Sequence, residues 1–380
     1  MKVYFDNAAT TPMRSEVIQS ITQSMTYNYG NPSSLHGFGR TAKSALETAR
    51  KSIAGYLNCE AQEIIFTSGG TESDNMVLRC AVKNLGVKTI ISSRVEHHAV
   101  LNVLEDLERE GVNIRFVDLD QSGSPNLDHL EILLDLDDSL KLVSLMHINN
   151  EIGNLLDLDK VGILCKSKGA YFHTDAVQGV GHYLFDLKSQ PIDFMAAAAH
   201  KFHGPKGIGF SFIRKNTGLD PFILGGPQER GLRAGTESVH NIVGLQKAIE
   251  IAYENLDEER DYILGLKKYF ITKLKGLFPE AHFNGLSENL ERSSYTVVNV
   301  GLPLENSKSQ LLDFHLDIKG IACSKGSACQ AGADSGSHVL NNLVRSDNIK
   351  KLPSLRFSFS FFNTKDEVDY VIQSLSELQK

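Results

Sequence analysis

The sequence predicts an α/β protein: a large domain built on a seven-stranded, mostly parallel sheet, and a smaller α+β domain. Between about residues 60 and 215, short β-branched runs alternate with segments of helical periodicity, which is typical of parallel strands joined by crossover helices. After residue 255 the pattern changes to a long amphipathic stretch followed by a few strands. A chain of 380 residues that is 41% hydrophobic can bury the core that such an architecture needs.

Seven short runs are predicted as the strands of the large sheet. They lie at residues 64–67, 89–92, 114–117, 142–145, 171–174, 194–197 and 209–212. Between them, apolar residues at helical spacing, such as Val100, Leu104 and Leu107, predict helices that cover the sheet. We expect the large domain to comprise residues 13–255, and the small domain to comprise residues 1–12 and 256–380.

Composition and charge exclude several classes of function. The formal net charge is −7, so the chain lacks the broad basic field that would hold a nucleic-acid backbone. No run approaches the roughly 20 apolar residues that span a bilayer, and the first residues do not resemble a secretion signal. Five scattered cysteines form no disulfide framework, which suits a reducing compartment. These observations predict a cytoplasmic protein.

A single lysine, Lys201, directly follows a strand of small residues and precedes a turn rich in glycine and proline. Burial against a sheet edge favours the neutral form of an amine, which can form a Schiff base with an aldehyde cofactor. The alternative is a surface lysine that enters a turn. This segment alone does not decide between the two.

Two upstream segments carry residues that suit the same cofactor chemistry. Asp175 closes an earlier strand, where a buried carboxylate could face a protonated pyridine nitrogen. The alternative for Asp175 is a helix N-cap. Residues 67–73 predict a strand, a glycine turn and a helix start, whose free N–H groups could hold a phosphate.

Ten segments occur in the order that is typical of one known family. They lie at residues 6–12, 30–36, 66–73, 96–97, 149–153, 173–178, 200–201, 228–237, 326–329 and 356–358. With these segments the chain resembles, almost end to end, the cysteine desulfurases. They are a branch of the class V aminotransferases within the fold type I enzymes that depend on pyridoxal 5'-phosphate (PLP).

The resemblance implies that PLP is the cofactor. Lys201 would bind it covalently, Asp175 would face the pyridine nitrogen, and His97 would stack on the ring and assist proton transfer. Gln178 would bond the phenolic oxygen. The phosphate would be held by Gly70, Thr71, His200 and, from the neighbouring subunit, Thr236. The last role implies a homodimer with shared sites.

The resemblance also implies how L-cysteine is bound. Asn150 and Arg356 would hold its carboxylate, a task that suits the planar guanidinium. The alternative for Arg356 is a surface charge at a strand edge. The chain departs from the family at two places: Ala198 stands where relatives commonly have a phosphate-binding serine, and residues 360–361, near the substrate carboxylate, read Ser-Phe instead of Gly-Arg.

Cys329 lies in a stretch of glycine, serine and alanine at residues 326–338, which predicts a mobile loop. The resemblance implies that Cys329 accepts sulfur from the substrate as a persulfide. A buried structural thiol is the alternative, and it fits a polar loop poorly. Cys323 is predicted to belong to the core. A metal site that combines these two cysteines with His97 and His98 lacks the usual ligand spacing, so no metal is predicted.

The implied function is conversion of L-cysteine into L-alanine, with sulfur passing through Cys329 to an acceptor such as an iron–sulfur scaffold or a tRNA-thiolation protein. Selenocysteine lyase activity on the same scaffold is an alternative. An ordinary aminotransferase would not need Cys329, and a third alternative is a non-catalytic protein that binds PLP or docks on a scaffold. The whole set of cofactor residues together with Cys329 argues against both.

Overall fold

The large sheet has the predicted architecture. The structure, a computed structural model, describes residues 1–304, 312–325 and 336–378. Its strands are β1 (Val3–Tyr4), β2 (Ile64–Thr67), β3 (Thr89–Ser92), β4 (Asn113–Phe116), β5 (Lys141–Ser144), β6 (Tyr171–Asp175), β7 (Phe194–Ala198), β8 (Gly209–Ile213), β9 (His282–Phe283), β10 (Val297–Gly301), β11 (Ile321–Ala322) and β12 (Ser354–Ser358). One sheet has the order β2-β8-β7-β6-β5-β3-β4. β8 is antiparallel to both of its neighbours, and the other pairs are parallel. The predicted seven-stranded, mostly parallel sheet is therefore confirmed.

Helices cover both faces of this sheet. The α-helices are Ser15–Tyr27, Gly37–Tyr56, Gly70–Leu85, His98–Arg109, Leu127–Leu134, Leu158–Ser167, Val239–Glu254, Leu256–Leu277, Leu312–Ile318, His338–Asn342, Asp347–Lys350 and Lys365–Ser376. Consecutive residues of a strand point to opposite faces, so Ile90 packs in one apolar cluster and Ile91 in the other. In the described ranges no helix is both long and apolar enough to cross a membrane.

A second body of apolar packing lies apart from the large sheet. It is formed by residues near the N-terminus and after residue 262, including Phe5, Phe270 and Phe357. The Phe270 ring lies 6.5 Å from that of Phe5 and 4.8 Å from that of Phe357. Because β1 also pairs with β11, the first residues lie against this unit. The packing supports our division into residues 13–255 and residues 1–12 with 256–380, which stays a prediction.

The direction of the strands decides where chemistry can occur. β2, β3, β5, β6 and β7 all run the same way, so their carboxyl ends meet at one edge of the sheet. Ligands of open α/β sheets bind at such an edge. The chain segments that leave these five strands therefore define the candidate site.

Candidate active site

A cavity of about 250 Å³ lies at this edge of the sheet. Of the predicted site residues that the structure describes, its lining includes all except Thr236: Gly70, Thr71, His97, Asn150, Asp175, Gln178, His200, Lys201 and Arg356. These residues lie in or after six different strands, so the fold brings together side chains that are distant in sequence.

Lys201 ends the short 3-10 helix Ala199–Lys201, which directly follows β7. Its side chain reaches the cavity, and Nζ donates hydrogen bonds to the carbonyl oxygens of Ala8 at 2.6 Å and Ala9 at 3.0 Å. The alternative of a surface lysine is therefore wrong. The amine is held at the cavity wall by neutral oxygens of the N-terminal segment.

Asp175 is the last residue of β6, and only 5% of it is exposed. Its Oδ1 accepts a hydrogen bond from the backbone N–H of Val177 at 2.9 Å. Burial raises the pKa of this carboxyl, and the nearby His97 and the Val177 amide act in the opposite direction. The carboxyl thus makes a turn-capping bond of the kind that the N-cap alternative expected, and it also lines the cavity.

His97 is the N-cap of the helix His98–Arg109, and its Nδ1 accepts a hydrogen bond from the backbone N–H of Ala99 at 3.1 Å. In the neutral imidazole the proton therefore lies on Nε2. Burial lowers the pKa of His97, although the carboxyl of Asp175 acts in the opposite direction. The cap fixes the ring at the cavity wall in its neutral form.

The glycine turn lies where the sequence predicts it. β2 ends at Thr67, and the helix Gly70–Leu85 begins at the cavity, so its first backbone N–H groups lack intrahelical acceptors. Thr71 and His200 line the same region. His200 Nδ1 lies 3.2 Å from Thr10 Oγ1, and burial lowers the His200 pKa to about 4. A neutral histidine and free backbone N–H groups can both donate to an anion.

Arg356 lies in the middle of the antiparallel pair β10–β12 and is 1% exposed. The alternative of a surface charge is therefore wrong. Its Nη2 donates to Asp6 Oδ1 at 2.8 Å, and its Nη1 donates to the carbonyl oxygen of Asn150 at 2.9 Å. Asn150 thus contacts Arg356 through its backbone.

No role was predicted for the N-terminal turn, although residues 6–12 form one of the ten segments. Ala8 O accepts hydrogen bonds from both Lys201 Nζ and Gln178 Nε2, the latter at 2.8 Å. Asp6 belongs to the same turn and holds Arg356. One short turn therefore contacts both the Lys201 amine and the Arg356 guanidinium. Every residue carries a backbone oxygen, so no sequence pattern marks the contact with Ala8.

Three buried acids near the cavity were also missed. Asp74 lines the cavity, and its Oδ1 lies 3.5 Å from Nε2 of the buried His173. Burial raises the pKa values of Asp74 and Glu96 well above their usual range. Glu151 is also buried, and its carboxylate accepts a hydrogen bond from the Ser337 hydroxyl. Each stands among other polar residues, such as Asn75, His97 and Asn150, so the local sequence pattern does not mark it as buried.

One predicted site residue lies elsewhere, and another is not described. Thr236 is exposed and lines a separate cavity of about 150 Å³ together with Ser68 and Gly207. Cys329 lies outside the described residues. Cys323 packs against the apolar core of the second unit, as predicted, and burial raises its pKa to about 12. The departures at residues 360–361 do not reach the cavity lining, since Phe361 packs on the guanidinium of Arg14 at 3.8 Å.

The chain matches a known protein family over most of its length. The family described as aminotransferase class-V matches residues 3–371. A cysteine desulfurase IscS from Dictyoglomus turgidum is 38% identical over 99% of this chain and 94% of its own length. A protein of the same name from Methanosarcina thermophila is 41% identical over 99% of this chain and 91% of its own length.

Solved structures of similar proteins have the same fold. A NifS-like protein superimposes with a TM-score of 0.91 at 36% identity, covering 100% of this chain and 99% of its own. A structure described as SspA in complex with cysteine has a TM-score of 0.79 at 29% identity, covering 96% of this chain and 100% of its own. Sequence and fold agree end to end, so the chain belongs to the class-V aminotransferases and, within them, to the PLP-dependent enzymes of the cysteine desulfurase branch.

Proposed function

We propose that this protein converts L-cysteine into L-alanine and transfers the sulfur to its own Cys329 as a persulfide. The observation that carries the proposal is the convergence, in one cavity, of the Lys201 amine, the buried Asp175 carboxyl and the buried Arg356 guanidinium. Together they suit an amino acid bound to an electron-withdrawing aldehyde cofactor.

The residues of the cavity fit PLP. A buried carboxyl with a raised pKa, Asp175, calls for a cationic partner, and a protonated pyridine nitrogen is one. The start of the helix Gly70–Leu85, with Thr71 and His200, suits the phosphate. Gln178 and His97 line the same cavity, where they would contact the phenolic oxygen and the ring. Lys201 would hold PLP covalently in the absence of substrate, and PLP bonded to the substrate amine would withdraw electrons from the substrate Cα.

Different side chains of the cavity then bind the substrate and transfer its proton. Arg356 and Asn150 hold the substrate carboxylate, which orients the Cα–H bond toward Lys201. The neutral Lys201 amine removes the Cα proton and returns a proton at a later step. The Nε2–H of neutral His97 is available to donate a hydrogen bond to the reacting molecule.

Sulfur transfer balances without an added oxidant. The thiolate of Cys329 attacks the sulfur of L-cysteine, so an S–S bond forms as the Cβ–S bond breaks. The electron pair of that bond goes to the substrate carbon, which takes up a proton and becomes the methyl group of L-alanine. The products are L-alanine and the Cys329 persulfide.

Replacement of Cys329 tests this proposal. Cys329→Ser should retain PLP and still bind L-cysteine, but it should release almost no sulfide or alanine in the presence of a reductant. Cys323→Ser is the matched control and should retain most activity, because Cys323 packs against a core. Wild-type turnover in Cys329→Ser would instead favour a lyase or aminotransferase reaction.

We also propose a homodimer in which Thr236 reaches the cofactor phosphate of the partner. Thr236 is exposed and lies outside the Lys201 cavity of its own chain. Large apolar side chains are also exposed near the N-terminus: Leu35 is 91% exposed, and Tyr29 and Phe38, whose ring centroids lie 5.4 Å apart, are 67% and 60% exposed. Exposed apolar groups of this kind favour a protein interface.

Mixed dimers test the shared site. Thr236→Ala and Lys201→Ala proteins each carry one defect in both sites, whereas their hybrid has one undamaged site. After confirmed subunit exchange, the activity of the mixture should exceed the average of the two parents, provided that Thr236→Ala is strongly impaired. No gain would show that each chain builds its site alone.

The last step of the proposal is delivery of the persulfide sulfur to an acceptor protein in the cytoplasm, such as an iron–sulfur scaffold or a tRNA-thiolation protein. The family membership and the chemistry of a persulfide support a protein thiol as the receiving group. Transfer of labelled sulfur from Cys329 to a purified candidate, measured by mass spectrometry, would test each acceptor.

A further inference from the structure

The ion pair between Arg356 and Asp6 joins a proposed substrate-binding group to the start of the chain. Asp6 Oδ1 accepts from Arg356 Nη2 at 2.8 Å, and the side chains are 19% and 2% exposed. Arg356 lines the cavity, whereas Asp6 does not. Asp6 therefore lies behind the guanidinium as seen from the substrate.

Both ends of this pair are fixed by backbone hydrogen bonds. The N–H of Arg356 donates to Ser324 O at 2.7 Å, and Ser324 N donates to Arg356 O at 3.1 Å. On the other side, Ser358 N donates to Phe5 O at 2.7 Å, and Asp6 O accepts from Ala9 N at 3.0 Å. Because neither backbone is free to shift, the carboxylate of Asp6 can set the plane of the guanidinium.

The guanidinium retains donors that its protein partners do not use. Asp6 and the Asn150 carbonyl each take one N–H, out of five that the group carries. In the described part of the chain the buried Nε of Arg356 has no hydrogen-bond partner. A buried donor without an acceptor is costly, so a ligand oxygen at this position would be favourable.

From this geometry we propose that Asp6 is a positioning residue: it holds the Arg356 guanidinium in the plane that receives the substrate carboxylate. The inference rests on the proposed function, in which Arg356 binds that carboxylate. Asp6 acts through Arg356 and does not touch the substrate.

An oxygen acceptor at residue 6 is the feature that positions Arg356. Asp6→Asn keeps an oxygen in the same place, whereas Asp6→Ala removes it and lets the guanidinium rotate. The hydrogen bonds that hold the backbone of this turn do not involve the Asp6 side chain. Lys201 therefore keeps its Ala8 and Ala9 partners in both variants.

Binding of two ligands by the PLP-loaded enzyme tests the proposal without turnover. L-Alanine carries the carboxylate and ethylamine lacks it, so the ratio of the two dissociation constants, measured from the visible spectrum, reports the carboxylate contact alone. Asp6→Ala should weaken L-alanine binding roughly tenfold with little change for ethylamine, the size of one charge-assisted hydrogen bond. Asp6→Asn should stay within about threefold of the wild type, since it keeps the acceptor.

Two further variants separate the possible failures. Glu259→Ala breaks another partly buried ion pair, that with Arg14 at 2.7 Å, and should leave the ratio unchanged. Arg356→Ala should abolish the preference for L-alanine. If it does not, the proposed role of Arg356 is wrong. If Arg356→Ala acts as expected but Asp6→Ala weakens both ligands equally or neither, or Asp6→Asn is as impaired as Asp6→Ala, the inference about Asp6 is wrong.

Discussion

Lys201 and Arg356 line the same cavity, but the protein holds these two basic groups in different ways. The Lys201 amine donates to two neutral carbonyl oxygens, whereas the Arg356 guanidinium donates to a carboxylate and one carbonyl. A carboxylate favours the charged form of its partner more strongly than a carbonyl does. The difference matches the proposed tasks, since Lys201 must release a proton during the reaction and Arg356 must stay charged.

A fully buried lysine elsewhere in the chain shows what neutral partners do in this protein. Lys267 is fully buried in the helix Leu256–Leu277, and its Nζ donates to Ser293 Oγ and Ser294 O, both at 2.7 Å. Burial lowers its pKa from 10.5 to about 7. Burial with only oxygen dipoles as hydrogen-bond partners therefore brings a lysine close to neutrality at physiological pH.

Loss of the amine at residue 201 should have the largest effect on activity. Lys201→Ala should lower turnover by more than about 10⁴-fold, because it removes the proposed proton acceptor as well as the covalent link to PLP. After borohydride reduction, intact-mass measurement should find no PLP attached to this variant. Lys206→Ala, an exposed lysine in the same turn, should retain the adduct. An adduct in Lys201→Ala would refute the assignment.

Stability should distinguish the two cavity cations. Arg356→Met leaves the Asp6 carboxylate without its buried partner and should lower the free energy of unfolding by about 3 kcal/mol. Lys201→Met should cost less than about 1 kcal/mol, because it removes bonds to neutral carbonyls and Ala8 O still accepts from Gln178. Denaturant unfolding of both variants and of the wild type, each without PLP, measures the two losses of unfolding free energy. Equal losses would show that the protein does not hold Lys201 and Arg356 in different ways.

The Lys267 environment predicts a smaller effect that depends on pH. Between pH 7 and 10.5 the unfolded chain binds the Lys267 proton and the folded chain does not, so raising the pH stabilises the folded state. Below pH 7 both states bind it, and the cost of the buried charge is fully present. The stability of the wild type relative to Lys267→Met should therefore rise by up to about 1.4 kcal/mol per pH unit in this window.

The control for that measurement is Lys268→Met, which changes an exposed neighbour on the same helix. Its stability difference from the wild type should stay flat from pH 6 to 9. A flat difference for Lys267→Met as well would show that the buried amine does not change its protonation in this range.

Local patterns in the chain were sufficient to predict much of the fold. Strand runs and helical periodicity located the seven strands of the large sheet to within one residue, because side-chain period and β-branching act over a few neighbours. The same patterns placed Asp175 and Lys201 at the carboxyl ends of β6 and β7. Because parallel strands end at the same edge of a sheet, that position already implies that Asp175 and Lys201 lie at one edge.

The sequence by itself thus determined the fold class, the strand ends that carry Asp175 and Lys201, and the resemblance that the comparisons confirm. Only the tertiary structure decided which partners these groups meet. Asp6 and Arg356 are 350 residues apart and form an ion pair, and the Ala8 carbonyl accepts from Lys201 across 193 residues. Such contacts depend on the path of the whole chain, which local patterns do not specify. The Ala8 contact also uses a backbone oxygen, an atom that every residue carries, so the residue type does not reveal it.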